Sequence, residues 1–278
     1  MTKDITIVAV DTYAHELTRK AIDRTMQVLP CQEVLVLSDK NIYPDGHWVE
    51  INPIDIDDYN TLLLKHLWPL VRTEHILVVQ YDGMAVNAKH WSDNFLNYDY
   101  IGAVWPWPHH PPEYKVGNGG FSLRSRRLLN TLKDNRIAFK DELSANEDLY
   151  IGVYYKQFLQ QQGIKFADVT IAKQFSHEHF PKLEPTFGFH GTFNVPYYLD
   201  DATTEDFIQL NPSWTSEGSM MMITHCFIAG KLELGKLALQ LARKKNTDTD
   251  QQLRNLLQSA EFNLGLNPTV AQHLIPLL

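Results

Sequence analysis

His75-Ile76-Leu77-Val78-Val79-Gln80-Tyr81-Asp82-Gly83 is a run of aliphatic side chains closed by an acid and a glycine, and it is the most apolar strand-like stretch of the chain. A continuous apolar run of this length suits a strand covered on both faces, as in a parallel sheet. Asp82 then falls just beyond the strand's carboxyl end, where open α/β sheets bind ligands.

Working outward, residues 5–10 (Ile-Thr-Ile-Val-Ala-Val) read as a buried strand and 13–29 as a helix, with Asp11 or Thr12 able to cap its first turn. Residues 33–37 and 48–51 repeat the strand signal, and 57–71 carry apolar residues at helical spacing. Downstream, 100–104 and 121–123 read as strands, and 124–133 and 147–163 as helices. Strands alternating with helices predict an α/β fold, a mostly parallel sheet with helices on both sides. Between them, Trp105-Pro106-Trp107-Pro108-His109-His110-Pro111-Pro112 must be a loop, because proline removes ladder donors. After residue 200 the pattern turns to amphipathic helices at 230–244 and 249–264, so the expected organisation is a main domain over 1–200 and a helical C-terminal appendage over 201–278. Its leucines Leu232, Leu234, Leu237, Leu239 and Leu241 would dock on the main domain or form a dimer contact.

The composition narrows the functional class. The chain has 278 residues, 44% hydrophobic and 21% charged, with a formal net charge of −8. That balance suits a globular protein and argues against a nucleic-acid partner, which needs a basic face. Cys31 and Cys226 match neither a disulfide framework nor a paired-thiol zinc site, and read as reduced core residues. The N-terminus enters its first strand directly, without an export signal, and no run reaches the ~20 apolar residues of a membrane span. The expectation is a cytoplasmic protein with, at most, peripheral membrane contact.

Three further signatures follow Asp82 in order: Gly117-Asn118-Gly119-Gly120, Asn146-Glu147-Asp148 and Phe187-Gly188-Phe189-His190-Gly191. Each has a plain structural reading. Asp82-Gly83 can be a tight turn, and the glycines a hairpin lacking the spacing of a dinucleotide or Walker loop. Ser144 or Asn146 can cap a helix whose dipole favours Glu147 and Asp148, and His190 can be a core histidine. Each also has a chemical reading. Asp82 is a hard oxygen ligand for Mg²⁺ or Mn²⁺, and the glycines allow close backbone approach to a ligand. An acid of the Glu147-Asp148 pair can act as general base, and His190 can complete a metal shell. His177, His179 and His190 could alternatively serve a metal-dependent hydrolase.

Taken together, the order resembles the GT-A class of nucleotide-sugar glycosyltransferases, and more closely an uncharacterised glycosyltransferase-like family of bacterial polysaccharide loci. The resemblance covers roughly residues 5–195 and rests on Gln80-Tyr81-Asp82-Gly83, Tyr98-Asp99-Tyr100-Ile101-Gly102-Ala103, the stretch 117–125 and the stretch 186–191. It implies a GT-A (Rossmann-like) fold and metal-dependent, inverting transfer of a sugar from a nucleotide-diphosphate donor to a glycan or other hydroxyl acceptor. GT-A enzymes usually carry Asp-x-Asp at the strand end, and here the first acid is Gln80. The resemblance assigns the metal, Mn²⁺ or Mg²⁺, to Asp82 and His190, and catalysis to Asp148 with Glu147 beside it. Asp11, Thr12, Tyr13, Asp39, Asn60, Lys65, Gln80, Tyr81, Asp82, Gly119 and Gly120 would meet the donor. Trp105, Trp107 and Asn118 would meet the acceptor. The departure at Gln80 leaves an alternative: a non-catalytic nucleotide-sugar or glycan binding protein with a degenerate GT-A fold.

Overall fold

The computed structural model describes residues 2–107, 111–137, 145–178, 185–214, 217–258 and 268–278. The chain divides into two compact units, Met1–His190 and Gly191–Leu278.

In the first unit, β1 (Lys3–Val10) is followed by α1 (His15–Val28), β2 (Cys31–Ser38), β3 (His47–Glu50), α2 (Ile56–Thr61) and β4 (His75–Val79). Then come β5 (Gly83–Ala85), β6 (Tyr100–Ile101), β7 (Phe121–Ser125), α3 (Arg126–Leu132), α4 (Glu147–Leu149), α5 (Lys156–Gln161), α6 (Val169–Phe175), β8 (Ser176–His177) and β9 (Gly188–His190). The main sheet runs β3-β2-β1-β4-β7-β6. Strands β3, β2, β1 and β4 are mutually parallel, and β7 is antiparallel to both β4 and β6. The expected α/β architecture with a mostly parallel sheet is therefore observed. The aliphatic alternation explains the packing. Val8, Val10, Leu35, Leu37, Ile76 and Val78 form one core cluster with Leu63 and Leu67, from the helical turns after α2. Residues Ile5, Ile7 and Ala9 on the other face of β1 are equally buried.

Several boundaries differ from the sequence reading. Strand β7 extends through Ser125, so Arg124 is a strand residue and α3 starts after it, with the Ser125 hydroxyl accepting from the Leu128 amide at 3.0 Å. The expected helix over 147–163 is broken: α4 passes into a π-helical turn at Tyr150–Tyr154 and restarts as α5. The indole of Trp105 packs against Gly152, where a Cβ would come within 3.0 Å of it. Such π turns commonly occur at functional sites.

The second unit comprises α7 (Val195–Tyr198), α8 (Asp201–Leu210), α9 (Glu217–Ile228), α10 (Leu232–Lys245) and α11 (Thr249–Gln258), with short helical turns at its end. Its own core gathers Trp214, Met220, Ile223, Phe227 and Leu253. Leu232, Leu234, Leu237, Leu239 and Leu241 pack on that core. Helix α9 was missed because it is apolar nearly all round and lacks a 3.6-residue stripe. Cys31 and Cys226 are buried free thiols, each pushed up to about 12 by burial. Among the described residues no helix is long and apolar enough to cross a membrane.

Candidate active site

The antiparallel pairing of β4 with β7 runs from His75↔Ser125 to Val79↔Phe121, which carries Gly120 to the side of Gln80. A tight turn, closed by the Gly83 amide on the Gln80 carbonyl at 3.0 Å, presents Asp82 beyond the strand end. Strand β5 then pairs with β9, setting Gly83 against His190. Three signatures distant in the chain thus meet through backbone pairing alone.

Side chains complete the cluster. His190 Nε2 stands 3.6 Å from Asp82 Oδ1 and 3.0 Å from Gln80 Oε1, while Nδ1 lies 2.9 Å from Glu178 Oε1. The Gln80 amide is oriented by its other end, since Nε2 donates to the Tyr59 hydroxyl at 2.5 Å. Burial works against a charged His190, yet the carboxylates of Asp82 and Glu178 outweigh it and raise the imidazole to about 9.

The acid pair enters from α4. The Gly119 amide donates to Asp148 Oδ2 at 3.1 Å, and the Leu149 amide to Oδ1 at 2.7 Å. Burial, reinforced by the neighbouring Glu147 carboxylate, nevertheless pushes Asp148 up to about 7. Glu147 has a different place. Its Oε1 accepts from Arg124 Nη2 at 2.6 Å, in an ion pair whose side chains are 5% and 0% exposed. The glycines are small because these groups occupy their space. A Cβ on Gly119 would lie 2.2 Å from Glu147 Oε1, and one on Gly120 2.0 Å from His190 Nε2. Gly120→Ala is therefore expected to displace the imidazole and destabilise the fold by about 1–3 kcal/mol, read as a lower thermal midpoint.

Beside this cluster a 340 Å³ cavity opens at the ends of β1 and β4, lined by Asp11, Thr12, Tyr13, Tyr59, Gln80 and Tyr81 among others. Asp11 Oδ1 accepts from the Tyr13 and Ala14 amides at 2.9 and 2.7 Å, while its buried Oδ2 has no hydrogen-bond partner among the described residues. Tyr13 and Ile56, each 57% exposed, stand on its walls. Together these offer a hydrogen-bond acceptor between apolar surfaces. A larger cavity of 500 Å³ lies at the opposite, amino ends of β2 and β3, around Cys31, Glu33, Gly46 and His47, away from the acid and histidine cluster.

Several expected site residues sit elsewhere. Lys65 spends its ammonium on the Leu132 and Asp134 carbonyls at 2.6 and 2.9 Å, so it holds the end of α3 rather than a phosphate. Asn60 is buried, and its Oδ1 accepts from the Glu147 amide at 3.0 Å; it caps α4, where Asn146 makes no side-chain cap. Ser144 and His179 lie outside the described residues. Asp39 is bound to His15 at 2.6 Å and does not line the cavity of Asp11 to Tyr13. Trp105 is 5% exposed and wedged against Gly117, where a Cβ would come within 2.1 Å of its ring; it is a buried support of the glycine loop, not an open stacking face. Trp107 stacks on it at 4.4 Å and is half-buried. Asn118 is buried, donating to Glu178 Oε1 at 2.8 Å. His177 pairs in register with Phe189, whereas His190 faces Glu178.

Asp82 and His190 fit a divalent cation of the Mg²⁺ or Mn²⁺ type. Their donor atoms face one another, and Glu178 on Nδ1 is the carboxylate support that metal-binding histidines commonly have. Among the described residues no three His, Cys, Asp or Glu side chains form a metal-holding group.

A family model described as "Protein of unknown function (DUF5672)" matches residues 49–190, just over half of the chain, and the chain belongs to that family. None of the curated proteins matches the sequence. Among solved structures the chain is similar to a glycosyltransferase involved in the glycosylation of the major capsid of PBCV-1, at 14% identity and TM-score 0.43, covering 67% of this chain and 91% of that one. It is also similar to the mannosyltransferase PcManGT from Pyrobaculum calidifontis, solved with GDP-Man and Mn²⁺, at 10% identity and TM-score 0.41, covering 100% and 80%. A third similar structure is a mycobacterial protein, at 13% identity and TM-score 0.38, covering 58% and 63%.

Proposed function

We propose that this member of the family is a nucleotide-sugar glycosyltransferase that moves a sugar from a nucleotide-diphosphate donor to an acceptor hydroxyl, metal-dependently and with inversion, in a main domain corresponding to the first unit. The observation that carries the reading is the convergence of Asp82, His190, Gly119, Gly120 and Asp148 beside the cavity of Asp11 and Tyr13. The order of these motifs in the chain supports it further.

In this reading the nucleoside enters the cavity against Tyr13, with Asp11 Oδ2 accepting from the base or ribose. A divalent cation held by Asp82 and His190 would offset the charge that builds on the leaving diphosphate. Gln80, tied to Tyr59 and His190, keeps the wall between cavity and cluster rigid. The narrow glycine loop lets the donor sugar approach the backbone. Asp148 takes the proton of the acceptor hydroxyl as its oxygen bonds to the anomeric carbon and the bond to the diphosphate breaks. A base poised near neutral pH suits that task. Glu147 supports this reaction only through its neighbour, because Arg124 holds its carboxylate.

Gln80 in place of an acid favours a second reading, a donor-binding protein without turnover. A thermal-shift panel of UDP, GDP, CMP and dTDP and their sugar conjugates, each with Mn²⁺ and with EDTA, tests the first. One nucleotide family should raise the midpoint in a metal-dependent way, and release of its diphosphate from the sugar conjugate separates transferase from binder. No shift with any of them would sink both.

A further inference from the structure

We propose that Glu178 is a positioning residue that fixes the imidazole of His190 and the glycine loop at the same time, so that one carboxylate assembles the cation-facing end of the site. The inference rests on the transferase reading in one respect, that His190 and Asp82 face a divalent cation.

The local structure explains why Glu178 is there. Strands β8 and β9 run parallel with Ser176 opposite Gly188 and His177 opposite Phe189, and the next step of that register brings Glu178 beside His190. The side chains of Glu178 and His190 are 11% and 16% exposed. Glu178 Oε1 stands 2.9 Å from His190 Nδ1 and accepts from Asn118 Nδ2 at 2.8 Å. The other end of Asn118, Oδ1, accepts from the Gly120 amide at 3.2 Å. Gly120 in turn sits against the Nε2–Cδ2 edge of the imidazole, with room for no Cβ. The contacts close a circuit from Glu178 through His190, Gly120 and Asn118 back to Glu178.

The chemistry of that circuit is directional. With Nδ1 donating to the carboxylate, the ring is turned so that Nε2 faces Gln80 Oε1 at 3.0 Å and Asp82 Oδ1 at 3.6 Å, where a bound cation would take the place of the Nε2 proton. The same oxygen holds Asn118, so the loop cannot shift without releasing the ring. Outer carboxylates of this kind typically change metal affinity by about 10–100-fold when removed.

The test measures Mn²⁺ binding to the full chain by electron paramagnetic resonance, in the presence of UDP, GDP, CMP or dTDP, for wild type, Glu178→Ala and Glu178→Gln. Glu178→Ala should weaken Mn²⁺ binding by about 10–100-fold, while Glu178→Gln, which keeps an acceptor for both partners, should restore most of the loss. A purely structural glutamate would lower the thermal midpoint without this split. Equal Mn²⁺ binding by wild type and Glu178→Ala overturns the inference alone; absence of Mn²⁺ binding in wild type overturns the metal reading and the inference together. If the alanine variant does not fold, nitrogen-15 spectra of the wild-type His190 ring with Mg²⁺ and nucleotide decide. A proton on Nδ1 with a metal-shifted Nε2 is expected, and a bare Nδ1 contradicts the inference.

Discussion

Asp148→Asn should lower sugar transfer by about 10²–10⁴-fold, the range expected for loss of a general base, while nucleotide binding stays near the wild-type level. Asparagine matches the shape of the side chain and keeps one acceptor for the amides of Gly119 and Leu149, but it cannot take a proton. Glu147 cannot replace it, because Arg124 holds that carboxylate in a buried pair. The wild-type pH profile carries the same assignment. Burial and the Glu147 charge raise Asp148 to about 7, and the base form is the ionised one. Activity should therefore be full above that value and fall about tenfold per pH unit below it. An ascending limb near pH 4 would contradict the raised carboxyl, and an asparagine variant as active as wild type would rule Asp148 out as the base.

The largest stability effect should come from Arg124→Leu. Arg124 is fully buried in β7, where Nη2 reaches both Glu147 and the Gly119 carbonyl, the latter at 3.2 Å, and Nε donates to the Ser122 hydroxyl at 3.0 Å. Removing the guanidinium leaves the buried Glu147 carboxylate without its counter-charge. The cost of such a broken pair is about 3–5 kcal/mol, which corresponds to a midpoint lower by roughly 10 °C in a domain of this size. A double variant, Arg124→Leu with Glu147→Leu, should recover a substantial part of that loss, because no charge is left stranded. Thermal unfolding of wild type, Arg124→Leu, Glu147→Leu and the double variant measures the coupling. Additive losses would mean that the pair does not hold the loop to α4.

How much of this was legible in sequence follows from which forces are local. The apolar runs of β1, β2 and β4 are visible because a strand buried on both faces leaves an uninterrupted aliphatic signal. The four signatures were visible because each concentrates glycine, acid or histidine in a few residues, and strand pairing brings Asp82, Gly120 and His190 together. Partner choice was not visible. Lys65 and Asn60 share one helical stretch and were expected at the donor, but Lys65 lies in the π turn at Leu62–His66 and the carbonyls that receive its ammonium belong to residues far along the sequence. Trp105 was expected at the acceptor or over the core edge, and Gly117 and Gly152 are the gaps that accommodate its ring. Asp99, quoted only as part of a motif, is a buried hub for Ser125, Arg127 and the Lys165 amide. Glu178 stands between two histidines and carries no motif of its own, and only the register of β8 with β9 sets it beside His190.

The central claim is that Asp82 and His190 face a cation that binds with the donor diphosphate. The most direct test is isothermal titration with the nucleotide giving the largest thermal shift, for wild type, Asp82→Ala and His190→Ala, in Mn²⁺ and in EDTA. Wild type should bind only with Mn²⁺, and each variant in Mn²⁺ should lose about 10-fold or more in affinity, as removal of a ligand to a shared cation requires. Equal affinity in EDTA, or variants that bind as tightly as wild type, would contradict the account.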